Sequence, residues 1–258
     1  MEDYLRFKIR KSSLSDEDLI YRSDNSKSLR PIVDLREWDT IIENQGSLGS
    51  CTGTALTSAY ELMVRQSYPE QYVELSDLFI YYNARVEEGE IYKDDGIYIK
   101  DGLKVLQKYG VCAETFWPYV IEKWDDKPSD AAYEDAKKRI ISKYQKLIST
   151  YYITEVLNDN KPIVFGMEIF DSFMDLNDRI STVPFPSRKE KSLGGHAMCM
   201  VGYDLEKRLF LAKNSFGSDW GMEGYCWVPF DYLRQEGYDF WTFDINPQSG
   251  DSNVLSLS

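Results

Sequence analysis

A chain of 258 residues is long enough for one large domain or two packed lobes with their own cores, so neither disulfides nor a metal is needed to explain its folding. Hydrophobic residues at 43% and aromatics at 14% exclude wholesale disorder. The formal net charge of -13 excludes a sequence-independent grip on nucleic acid or on an anionic membrane, since both require a basic face.

Residues 1–30 are polar and charged and read as an N-terminal arm; the folded body is expected over 31–247, followed by a flexible tail at 248–258. The opening MEDYLRFKIRKSS has no apolar run of secretory-signal length, and nothing later approaches a membrane span. Cys51, Cys112, Cys199 and Cys226 lie far apart and only one histidine accompanies them, which argues against a zinc site and for a reduced, cytoplasmic or otherwise intracellular life. From Ser50, a plausible N-cap, the positions Ala55, Leu56, Ala59, Leu62 and Met63 recur as the buried stripe of a helix. LFIYYNARV and KDGLKVLQKYG, the latter closing on glycine, suit two further helices. The stretch 129–148 reads as a charged amphipathic helix or a surface excursion. The second half changes period: PIVFGMEIF, HAMCMVGYD, RLFLAKNS, GYCWVPFDY and DFWTFDIN are short β-rich runs of an antiparallel sheet or barrel. The long polar loop NDRISTVPFPSRKEKSLGG leads directly into His196.

Three residues compose a chemistry that none of them carries alone. Cys51 opens the first helix, where the positive end of the dipole favours thiolate over thiol. His196, the only histidine, is a base that titrates near neutrality. Asn214, eighteen residues on, ends a β run in a glycine-punctuated loop from which its amide could orient the imidazole. Taken singly, each has a bland explanation: a packed small residue, a structural histidine, a turn.

The ordered segments VDLR, NQGSLGSC, GGHAMCMVGYD and KNSFGSDWGMEGY resemble the papain-family cysteine peptidases across residues 31–247. The resemblance implies an α+β papain-like fold of two lobes, a helical N-terminal lobe and an antiparallel β-barrel C-terminal lobe with the cleft between them. It implies a cysteine endopeptidase with Cys51 as nucleophile, resting as a thiolate beside an imidazolium, His196 as base and acid, Asn214 as orienter and Gln45 as oxyanion-hole donor. Peptide or protein substrate would meet Gly49, Ser50, Gly96 and Gly195, with Trp220 on the leaving-group side and no metal or organic cofactor. Leu48, Thr52 and Phe216 depart from the better-known members and point to the disulfide-poor bacterial, archaeal and viral branch, leaving Cys112, Cys199 and Cys226 as packing residues. The arm at 1–30 would be a short regulatory or pro-segment lying in the cleft of a zymogen. Two other readings stay open: a silent peptide-binding homologue, and a thioester-forming acyl transferase or amidase.

Overall fold

The computed structural model describes residues 7–23 and 27–246; the expected C-terminal tail lies outside the described residues. Strand β1 (Ile32–Asp34) is followed by a loop into helix α1 (Cys51–Ser67), then α2 (Asp77–Glu88) and α3 (Ile99–Lys108). These helices form one lobe. Ser76 caps α2 by accepting the Phe79 N–H, and Gly89 closes it in the left-handed region at φ 74°.

Helix α1 is buried on every side from Cys51 to Met63, not along one stripe. It is wedged between α2 and α3 on one flank and the sheet on the other, so its polar side chains need partners inside the protein. Asp77 of α2 supplies one, accepting from Thr54 Oγ1 at 2.7 Å and also from Thr57 Oγ1.

The stretch 129–148 divides. Helix α4 (Asp130–Ala136) takes its first part, capped by Ser129, whereas ISKYQKL becomes strand β2 (Ile141–Leu147) paired with β7 (Gly237–Ile245). Helix α5 (Thr150–Asn158) follows on an Ser149 cap. The four remaining β runs appear as β3 (Ile163–Phe170), β4 (Ser192–Asp204), β5 (Leu209–Lys213) and β6 (Tyr225–Pro229), with helix α6 (Phe230–Glu236) between β6 and β7.

Among the described residues the named strands pair antiparallel throughout, in the order β2-β7-β3-β4-β5-β6, and β1 joins the far end of β4. The expected barrel is therefore an open sheet: β2 and β6 end the order and are not paired to each other. Alternation and β propensity identify strands but do not say whether the first and last ones meet. Four of the pairings carry register shifts, where a strand bends and its twist increases. Together the helical lobe and the sheet make the two-lobed α+β architecture that the sequence resemblance implies.

Candidate active site

Cys51, the first residue of α1, lies on the helix that packs against β4, the strand that carries His196. The register of β4 with β5 sets Cys199 opposite Lys213, which carries Asn214 just past the end of β5 to the side of the imidazole. His196 Nε2 is 2.6 Å from Asn214 Oδ1. The same oxygen accepts the Ser215 N–H at 2.8 Å, which identifies it as the carbonyl oxygen and gives Nε2 the proton.

Gln45 reaches the site because residues 44–45 pair with 215–216: Asn44 bridges Phe216, and Gln45 N–H donates to Ser215 O at 3.0 Å. Ser215 Oγ donates to Gln45 Oε1, and Gln45 Nε2 donates to Leu48 O at 2.8 Å. The amide is thereby oriented with its NH2 toward the loop that precedes Cys51. Ser50 occupies the N-cap position of α1 but makes no capping bond; its hydroxyl meets Tyr119 Oη at 2.6 Å instead. Tyr119 Oη also donates to Gln45 O at 2.9 Å, so one phenol ties both ends of the loop 45–50.

The imidazole is enclosed by rings. Phe216 lies 4.9 Å away by centroids, Phe7 of the arm 5.6 Å and Phe173 6.1 Å, and Trp220 packs on Phe173 at 4.9 Å. His196 is 0% exposed, Cys51 1% and Asn214 3%. Burial pushes the Cys51 thiol up to about 11, against N–H groups of Ala197 and Thr52 that pull it down. Enclosure thus works against the resting thiolate expected from its place on the helix, because a water-excluded sulfur gives up hydration that favours the charged form.

The arm contributes Phe7 to that enclosure and continues along the cleft. Ile9 N–H donates to Gly195 O at 3.2 Å, and Lys8 bridges Gly195 in parallel sense. The carbonyl of Lys8 presses on Gly96, which adopts φ 69°, so a Cβ there would be strained and would collide with the arm. At Gly195 a Cβ would strike both Ile9 and the Tyr238 hydroxyl. Arg10 pairs with Glu90 at 2.9 Å and Glu88 at 3.1 Å. Gly96 and Gly195 thus line the strip of cleft taken by residues 7–10, while Gly49 lies beyond it, against Asp94, its N–H donating to Asp94 Oδ1 at 2.9 Å. Ser215, Tyr119, Phe173, Asp94 and Tyr238 are neighbours that sequence reasoning missed. Ser215 had a signal as part of the motif that holds Asn214, and Tyr119 as the last residue of GVCAETFWPY.

Among the described residues all four cysteines are free and buried, and no helix is long and apolar enough to cross a membrane. A family model described as papain family cysteine protease matches residues 30–235. The chain is 38% identical over 230 residues, 84% of its own length and 74% of the relative's, to an uncharacterized peptidase C1-like protein of Acanthamoeba polyphaga mimivirus. To pro-cathepsin H of Bos taurus it is 27% identical over 210 residues, 76% of this chain and 58% of that one. Among solved structures, xylellain, a cysteine protease from Xylella fastidiosa, matches with a TM-score of 0.88 and 32% identity, covering 95% of this chain and 97% of the other.

Proposed function

The chain belongs to the papain family of cysteine proteases and is a cysteine endopeptidase, and within that activity we propose Cys51 as nucleophile, His196 as base and acid, Asn214 as orienter and Gln45 as oxyanion donor. The observation that carries the assignment is the bond from His196 Nε2 to Asn214 Oδ1, on the strand against which the helix opened by Cys51 is packed. With Nε2 committed to Asn214, Nδ1 is the nitrogen that exchanges a proton with sulfur.

Sulfur attacks the peptide carbonyl, the carbonyl oxygen takes up the electron pair, and the Cys51 N–H and Gln45 Nε2 stabilise it. Collapse expels the amine, which leaves with the proton held at Nδ1, and a thioester remains. Water, deprotonated by the same nitrogen, then releases the acid and restores the thiol. The Ser215 hydroxyl supports this reading because it holds the Gln45 amide with its N–H side toward the loop. Phe216 keeps water from the imidazole, as a larger indole would.

We read the arm as a latency element and the described state as the latent one. A peptide to be cut lays its residues before the scissile bond along Gly96 and Gly195 and those after it toward Trp220. The arm runs the other way, with Phe7 against His196 and Phe216 and the later Ile9 along Gly195. Its own carbonyls therefore meet the nucleophile in the wrong sense for cleavage. The free, buried cysteines support an intracellular life.

The test compares the wild-type full chain, the same chain with Phe7→Ala and Ile9→Ala, and that variant with Cys51→Ala, on a mixed peptide library read by mass spectrometry. Cleavage is expected from the arm variant and none once Cys51 is alanine. Hydrolysis that persists without Cys51 refutes the nucleophile. Binding without turnover returns the silent homologue, and acyl products other than acids return the transferase reading.

A further inference from the structure

We propose that Asp94 is a positioning residue for the oxyanion site, acting as the acceptor that holds the nucleophile loop from its outer side. The inference rests on the assignment of Cys51 N–H and Gln45 as oxyanion donors.

The loop 45–50 is restrained from within by its own turn and by Tyr119. Leu48 N–H donates to Gln45 O at 3.3 Å, Gln45 Nε2 to Leu48 O at 2.8 Å, and Tyr119 ties Gln45 O to Ser50 Oγ. On the opposite flank Gly49 N–H donates to Asp94 Oδ1 at 2.9 Å. That oxygen is itself fixed, because the hydroxyl of Tyr81, a fully buried residue of α2, donates to it as well. The fit leaves no slack: a Cβ on Gly49 would stand 2.9 Å from Asp94 Oδ1 and 3.3 Å from the Gly96 backbone nitrogen.

Gly49 is two peptide units before the N–H of Cys51. If the Gly49 N–H loses its acceptor, the Gly49–Ser50 segment is free to rotate and the Cys51 N–H turns with it, away from where charge develops. Asp94 also faces the arm: its carboxylate lies 3.6 Å from Lys8 Nζ, and its backbone carbonyl accepts from the same ammonium. The group that steadies the loop is thus one that the arm covers.

Because an oxyanion donor acts only in the transition state, the expected signature is a fall in kcat and in kcat/KM by the same factor, with KM little changed. The experiment measures both constants, per active site titrated with a thiol-directed inactivator, in the full chain carrying Phe7→Ala and Ile9→Ala so that Lys8 contacts do not decide the result. Asp94→Ala is expected to lose ~10- to 100-fold in kcat, the scale of a small misplacement of a catalytic donor. Asp94→Asn keeps an acceptor oxygen at the same place and is expected to stay within ~3-fold of the parent. Tyr81→Phe, which removes the donor fixing that oxygen, should fall between them.

If Asp94→Asn is as impaired as Asp94→Ala, charge and not the acceptor matters, and the proposal fails. It fails equally if Asp94→Ala keeps full kcat, or if its loss lies in KM. Should Asp94→Ala not fold, the ordering of Asp94→Asn above Tyr81→Phe decides. The underlying assignment is judged separately by Gln45→Ala: normal turnover in that variant removes the oxyanion reading itself, whatever Asp94 does.

Discussion

Replacing Phe7 and Ile9 together by alanine in the full chain is expected to unseat the arm from the cleft. Phe7 is 4% exposed and Ile9 7%, so both side chains have left water almost completely. Burial of such a side chain contributes ~1.5–3 kcal/mol, and the pair ~3–6 kcal/mol, which at 1.4 kcal/mol per decade raises the open-to-closed ratio by ~10²- to 10⁴-fold. Anchors farther along, Asp18 with Lys100 and Ser12 with Asp239, are untouched, so the rest of the arm stays docked.

Opening also changes the sulfur. A thiol at about 11 carries ~100-fold less thiolate at neutral pH than one at the ordinary 9.0, so exposure and ionisation reinforce each other. The assay is the second-order rate of alkylation by iodoacetamide at pH 7, with the Cys51→Ala variant subtracting the other thiols, run beside turnover of a fluorogenic peptide. Both rates should rise by at least ~10²-fold and level off once the cleft is fully open. Equal alkylation rates in wild type and variant would refute the plug.

Three other outcomes follow from the same geometry. Gln45→Ala should lower kcat by ~10²–10³, and Ser215→Ala, which only loosens the amide, by less; the two are compared in steady-state kinetics of the arm variant. Glu61 is held by burial at a pKa of about 8, well above its ordinary 4.5, while accepting the Leu75 N–H at 2.7 Å. Its stabilising contribution is whole below 4.5 and is lost as pH rises toward and through 8, with a slope of up to about 1.4 kcal/mol per pH unit. Glu61→Gln should flatten the decline of Tm over that window, and parallel curves would sink the argument. Tyr238 spans Gly166 and Gly195 beside Ile9 and narrows the slot that holds this aliphatic side chain. Tyr238→Ala should therefore shift kcat/KM toward peptides with an aromatic residue at that position, by ~10-fold relative to matched aliphatic ones.

The β runs of the second half and the three main helices were legible because each repeats its own period, and the Cys51, His196 and Asn214 positions because their motifs sit in punctuated segments. ISKYQKL was not: its apolar positions fit a helix nearly as well as a strand, and only pairing with β7 decides. The openness of the sheet was hidden for the same reason, since partners lie far apart in the chain. The seating of the arm left a faint trace in FKIRK, where Phe7 and Ile9 alternate with Lys8 and Arg10 as in a half-buried strand. Asp94 left none. In sequence it is one acid of an acidic turn, and its role depends on Tyr81, 13 residues away, and Gly49, 45 residues away.

The arm leads into β1, and β1 is paired to the far end of β4, the strand that carries His196. The blocking segment is therefore leashed to the surface it blocks, at a local concentration in the millimolar range, ~10⁻³ M, for a short tether. A single nick in that leash would not by itself awaken the molecule; it would turn an intramolecular lid into a separate ligand. Whether the lid then drifts off would depend on dilution, so a nicked population could stay silent when crowded and become active as it disperses.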